Sequence, residues 1–204
     1  PKMPTTPETF REATGLVRPP GRHGCPPVEV IPGLWTATYH DVDTAEKLHS
    51  VSADIKVVVN SACDKCPAVD YGDGITLVEI EGLLDDPDQL KKVDAMPEGP
   101  EKEAARAALP SFPPELCAGD AKKDFEKVNK IIDEGISDGN HVLVHCHASL
   151  SRSVVFILAY LMKTKGLSPI EAVELMKPKW DATWPNDTFV KQLIEYEAEL
   201  AVAA

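Results

Sequence analysis

This chain has no apolar run long and charge-free enough to cross a bilayer; its best candidate, Val154–Met162, is far too short. Its opening, Pro1–Thr9, lacks a basic region followed by an apolar stretch, so no secretory signal is expected, and a start at Pro rather than Met is read as trimming. Positive charge is scarce: 21 Lys and Arg stand against 33 Asp and Glu, a formal net charge of −12. Such a chain repels phosphate backbones and anionic lipid, which excludes nucleic acid and membrane surfaces as expected partners. A phosphate site here has to be locally positive against the global field. Cysteine is sparse and odd in number, with five residues at 25, 63, 66, 117 and 146. Without a secretory signal, that points to a reducing compartment, cytoplasmic or nuclear. There is no internal repeat.

What remains suits one globular domain: 204 residues, of which 43% are apolar, are enough for a real core. Residues 1–27 are rich in Pro, Gly, Thr and Arg and read as a partly flexible N-terminal arm. Val28–Ile31 and Leu34–Thr38 are strand candidates around Pro32-Gly33, where Pro presets one turn position and Gly supplies a positive φ for the next. Asp41–Ser50 reads as a short helix, and Ile55–Asn60 as a β-branched strand buried on both faces. Ile75–Ile80 is another strand. Residues 87–119 read as a long surface insertion with one short helix over Glu101–Ala108.

Order returns at Asp120–Glu134, where Phe125, Val128, Ile131 and Ile132 have amphipathic helical spacing. His141–His145 is a short apolar strand. Ser153–Lys165 is apolar nearly all round and reads as a central buried helix ended by Gly166. Ser168-Pro169-Ile170-Glu171 is a capping box, and a final helix runs over about Asp187–Leu200. Strands alternating with helices predict an α/β fold: a single domain over 28–204 with a central, mostly parallel twisted sheet flanked by helices, and the insertion after the fourth strand.

The informative segment is His145-Cys146-His147-Ala148-Ser149-Leu150-Ser151-Arg152-Ser153, between a strand and an apolar helix. Outward-pointing amides and the helix dipole make such a junction an anion site. Residues His147, Ala148, Ser149, Leu150 and Ser151 can curl their amides round one phosphate, with Arg152 offering a planar fork to two oxygens. Cys146 lies at the loop's base. A thiol at a helix N-terminus beside cations ionises more readily than a free one, and the thiolate can attack phosphorus. Ser153 can donate to that sulfur and help it leave, and His145 can order the loop.

This segment resembles the signature of cysteine-dependent phosphatases, His-Cys, five residues, then Arg-Ser/Thr, and more closely the dual-specificity protein phosphatases, with a catalytic domain like that of the MAP-kinase phosphatases. Ile31-Pro32-Gly33-Leu34-Trp35 is similar to that family's opening strand pair, and Trp184-Pro185-Asn186 with Phe189, Gln192 and Leu193 to its closing segment. The resemblance implies hydrolysis of phosphotyrosine and phosphoserine/threonine through a phosphocysteine, without cofactor or metal. It implies a phosphoprotein substrate, with a protein kinase among the candidates, and an Asp after a strand as general acid. The matching place gives Asp85 first and Asp86 second, with Asp88 behind them. One departure stands out: the family usually has Gly where this chain has Ser149, a place needing positive φ or close backbone approach, so weakened activity is expected.

Three rival readings are carried forward. A crippled loop would leave a phosphoprotein-binding pseudophosphatase. A lipid or carbohydrate phosphate is a second substrate class, against which the absence of Lys within the loop argues. Cys63-Asp64-Lys65-Cys66 after a strand resembles a redox dithiol and is also a candidate redox partner for Cys146, although no Trp precedes Cys63. His145 and His147 flank Cys146 too closely to chelate one ion with it, since adjacent residues leaving a strand point in different directions.

Overall fold

The computed structural model describes residues 6–17, 26–83, 95–107 and 119–203. Five strands among them form one sheet: β1 (Val28–Ile31), β2 (Leu34–Thr38), β3 (Ile55–Asn60), β4 (Thr76–Glu79) and β5 (His141–Cys146), in the order β1-β2-β5-β3-β4. Only β1 and β2 pair antiparallel, through the Pro32-Gly33 turn, where Gly33 takes φ +82. β5 lies in the middle, parallel to both β2 and β3. The α/β, mostly parallel sheet expected from the alternation of elements is therefore present.

The helices are α1 (Pro7–Thr14), α2 (Ala45–Val51), α3 (Pro100–Ala107), α4 (Lys122–Ser137), α5 (Arg152–Lys165), α6 (Pro169–Met176) and α7 (Asp187–Ala203). α5 is the hub. Every residue from Arg152 to Met162 is buried, because the sheet lies on one side and α4, α6 and α7 pack on the others. That enclosure is why its sequence is apolar all round. Among the described residues no single helix is long and apolar enough to cross a membrane. Gly166 ends α5 in the left-handed conformation, and Ser168 and Glu171 close the capping box of α6 from both sides.

Strand alternation divides the core between the two faces of the sheet. On β5, Val142 and Val144 face the α5 side, while Leu143 joins Ala37, Leu48, Ile55 and Val58 beneath α2. The approach of α4 to the sheet depends on Gly135, where an added Cβ would come within 2.5 Å of a Val142 methyl.

Residues 6–17 of the N-terminal arm are held more firmly than their composition suggests. Thr6 and Thr9 form a capping box, Pro7 takes the first helical turn, and Phe10 is completely buried. Phe10 and Leu16 join the main core, with α1 packed on α6 and α7. The expected insertion helix is α3, starting at Pro100.

Candidate active site

The candidate site forms where β5 runs into α5. Pairing with β2 and β3 fixes β5 up to Cys146, and the chain then turns through 147–151 before α5 begins at Arg152. Ser151 stands at the N-cap but makes no side-chain cap bond, because its hydroxyl accepts from the Asn186 N–H at 3.0 Å. No side chain of the cap residue closes the amino end of α5, and that end faces the loop's interior with its dipole. Cys146 is buried at the loop's base, and the Ser153 hydroxyl donates to its Sγ at 3.5 Å. Cys146 and Arg152 thus sit at the two ends of one loop.

The loop is stitched to three surrounding segments. The Tyr39 N–H donates to the His147 carbonyl at 3.1 Å. The Trp180 indole N–H donates to the Ser149 carbonyl, and the Trp184 N–H to the Leu150 carbonyl, both at 2.7 Å. Trp180 is fully buried and also holds the loop by this bond. The 184–186 segment is braced in turn from α1, where the Arg11 guanidinium lies 3.9 Å over the Trp184 ring and bonds the Pro185 carbonyl and Asp187.

Ser149 has the positive φ that Gly would supply freely. Its φ of +49 is the only positive one among the described non-glycine residues. A β-carbon there costs roughly 1 kcal/mol or somewhat more. The hydroxyl offsets part of that cost: it accepts from the Cys146 N–H at 3.2 Å and donates to the Ala37 carbonyl. The substitution therefore pins the loop's underside to β2 while straining its backbone.

His145 is almost fully buried, and burial pushes its pKa down to about 4, so the ring is neutral at ordinary pH. Its Nδ1 lies 3.3 Å from the Cys146 carbonyl, and its own carbonyl accepts from the Ser61 N–H at 2.9 Å and the Ser61 hydroxyl at 2.8 Å. His147 is exposed and stacks edge-to-face with His40, ring centroids 5.4 Å apart. Ala148 and Leu150 are half-buried. Asp85, Asp86 and Asp88 lie outside the described residues. Leu83, the last described residue before them, has a carbonyl that accepts from Arg152 Nη1 at 3.2 Å.

Asp64 escaped the sequence as a partner of the site, and Cys66 was expected there only through the dithiol, as a redox partner for Cys146. Arg152 Nη1 bonds and ion-pairs with Asp64, in the loop after β3. Cys66, from the same loop, packs with Cys146, Ala62 and Tyr39. The signal for Asp64 was a carboxylate a few residues beyond a central strand's C-terminal end, where ligand sites of open α/β sheets form. Burial, reinforced by Glu79, raises the Cys63 thiol to about 11, and burial, reinforced by Cys146, raises Cys66 to about 12. A redox pair needs one thiol ionised near neutrality, so these pKa values oppose the oxidoreductase reading.

The family comparison covers the β5–α5 junction. The family model for the dual specificity phosphatase catalytic domain matches residues 116–199. That stretch contains Cys146, Arg152 and Ser153. Dual specificity protein phosphatase 1B of Arabidopsis thaliana is 38% identical over 76 residues, 37% of this chain and 46% of that protein. Dual specificity protein phosphatase 5 of Rattus norvegicus is 41% identical over 81 residues, 40% of this chain and 21% of that protein. The matches thus span half or less of these curated relatives. Human DUSP28, in its crystal structure, shares the fold with a TM-score of 0.66 at 23% identity, covering 91% of this chain and all of that one. The human tyrosine phosphatase-like serine/threonine/tyrosine-interacting protein does so with a TM-score of 0.66 at 22% identity, covering 87% of this chain and 99% of that one.

Proposed function

We propose that this chain hydrolyses phosphate monoesters on phosphoproteins, at tyrosine and at serine or threonine, through a phosphocysteine on Cys146. The observation that carries the reading is the placement of a thiol and a guanidinium at opposite ends of one loop wrapped on a helix N-terminus, with a hydroxyl on the sulfur. Arg152 and the loop amides take the phosphate oxygens and stabilise the charge of the transferring phosphoryl group. The Cys146 thiolate attacks phosphorus from below. The bond to the ester oxygen breaks, and an acid protonates that oxygen. Asp85 and Asp86 are assigned this role because the chain leaves Leu83 at Arg152 and they follow within a few residues. The same carboxylate then takes a proton from water as water attacks phosphorus. The P–S bond breaks, and Ser153 donates to the departing sulfur.

The substrate side of the proposal is a phosphoprotein, a protein kinase among the candidates, met in the reducing interior of the cytoplasm or nucleus, where Cys146 stays a thiol. Turnover of p-nitrophenyl phosphate by the wild type, and its loss in Cys146→Ser, is the expected result. Persistent turnover in that variant would remove the nucleophile and with it the mechanism.

One observation favours a second reading. Ser149 strains the loop and ties the Cys146 amide to its own hydroxyl, which would suit a module that holds a phosphoprotein without turning it over. Phosphopeptide affinity without turnover, with activity gained in Ser149→Gly, would select it.

A further inference from the structure

The loop after Cys146 is gripped from outside by the 184–186 segment, and that segment is gripped in turn by the N-terminal arm. We propose that Arg11, on α1, is a positioning residue for the phosphate-binding loop: acting through 184–187, it holds the Leu150–Ser151 end of the loop in the conformation that turns the Ser151 amide onto phosphate. The inference rests on the proposed function for the identity of the ligand.

In a planar trans peptide the N–H points opposite to the C=O, so whatever holds one aims the other. No described peptide bond is cis. The Trp184 N–H takes the Leu150 carbonyl at 2.7 Å from outside the loop. The Ser151 N–H belongs to the same peptide unit and is turned the other way, toward the loop's interior. Beside it the Asn186 N–H donates to the Ser151 hydroxyl at 3.0 Å and keeps that hydroxyl from capping α5. Two backbone donors, at 184 and 186, therefore set the last turn of the loop.

Arg11 fixes the carrier of those donors at three residues. Its guanidinium lies 3.9 Å over the Trp184 ring. Nη2 donates to the Pro185 carbonyl, and Nε and Nη2 donate to the Asp187 carboxylate at 3.2 and 2.9 Å. One planar group thus touches 184, 185 and 187, bracketing both donors.

An ion pair alone does not account for this arrangement. The Arg11 side chain is 18% exposed and that of Asp187 is 64% exposed. A pair with so open a carboxylate is worth little, and less than it costs to take the guanidinium out of water. Nor does α1 need Arg11 to dock. Phe10 is completely buried in the main core with Leu16, and Lys177 of the α6 end donates to the Thr14 carbonyl at 3.0 Å. α1 has its own anchors, and Arg11 reaches from that fixed base to 184–187.

The test uses the full chain as wild type, Arg11→Met, which keeps the aliphatic stem, Arg11→Lys, and Lys177→Ala, which loosens α1 without touching 184–187. Tungstate, as phosphate mimic, is titrated calorimetrically. Turnover is read on p-nitrophenyl phosphate, and exchange of the Trp184 and Asn186 amide hydrogens is followed by NMR. Arg11→Met is expected to bind tungstate about tenfold more weakly and to lose about ten- to hundredfold in kcat/KM, because a displaced loop amide loses its aim at the developing charge. The Trp184 and Asn186 amides exchange faster. Arg11→Lys keeps a cation but not the fork, and its losses are smaller. Lys177→Ala keeps wild-type binding and turnover.

Unchanged tungstate binding in Arg11→Met would overturn the proposal, as would unchanged exchange at 184 and 186. So would an equal loss in Lys177→Ala, which would reduce the effect to the stability of α1. If Arg11→Met does not fold, Arg11→Lys decides: measurably weaker tungstate binding supports positioning, and unchanged binding overturns it. A wild type that binds tungstate without turnover would refute the catalytic reading, while tungstate affinity and exchange still decide the role of Arg11; a wild type that binds no oxyanion would refute both.

Discussion

The β5–α5 junction and the loops after β3 and β4 contribute to the same site in opposite ways. The junction is contiguous: Cys146, Arg152 and Ser153 fall within eight residues, and local chain geometry alone brings them together. The other two loops contribute Asp64 and the Leu83 carbonyl from positions 88 and 69 residues away in sequence, and the sheet order is what brings them to Arg152. The difference teaches that the reacting groups of such a site are written locally, whereas the groups that aim them are written in the fold.

The comparison is sharpest at Arg152. Arg152→Lys keeps the charge but loses the fork shared between phosphate, Asp64 and Leu83. Steady-state kinetics should show kcat/KM lower by about 10²–10³, as expected when a planar donor set aimed at developing charge is lost. A loss under about tenfold would mean that charge alone suffices and that the distant loops orient nothing.

Beside Cys146 at the end of β5, His145 gives a stability effect with a definite pH window. Its pKa is pushed down to about 4 by burial, from an ordinary 6.5. The unfolded chain therefore takes up a proton below about 6.5 that the folded chain refuses until about 4. Stability contributed by the neutral ring is full above 6.5, falls as pH drops through this window and levels off below 4. The total is on the order of 3 kcal/mol. Urea midpoints at neutral pH and near the bottom of the window should fall further for wild type than for His145→Asn. Equal falls would contradict a buried neutral ring.

Trp180→Phe tests support from the C-terminal side. It keeps the ring but removes the donor to the buried Ser149 carbonyl, which should cost about 1–3 kcal/mol of stability by denaturant titration and lower kcat/KM with it. Unchanged activity at that loss of stability would separate loop support from catalysis. The smallest effect is expected at Ser149→Gly: relief of the positive φ is worth about 1 kcal/mol, set against two lost hydroxyl bonds. Thermal unfolding should therefore shift by no more than a few degrees either way, and turnover should rise. A fall in turnover would make the hydroxyl's grip on Cys146 an asset.

The pattern of legibility follows from the same contrast. The β1–β2 turn, the β-branched β3, the buried helix α5 and the α6 capping box were all readable because each depends on neighbours in sequence. The docking of α1 was not, because Phe10 acquires its meaning only from α6 and α7. Asp64 was hidden for a related reason: an acidic residue in a loop reads as a solvated turn until a buried cation is placed against it. The positive φ of Ser149 was legible only through the resemblance, since Ser by itself gives no such signal.

The central claim is that Cys146 Sγ takes the phosphoryl group held by Arg152. It is tested most directly by acid-quenching the wild type during turnover of a phosphotyrosine peptide and mapping the adduct by mass spectrometry. The account predicts one phosphoryl group on the peptide containing Cys146, absent in Cys146→Ser. Turnover with no phosphorylated Cys146 peptide at any quench time, or a phosphoryl group on another residue that survives in Cys146→Ser, would contradict it.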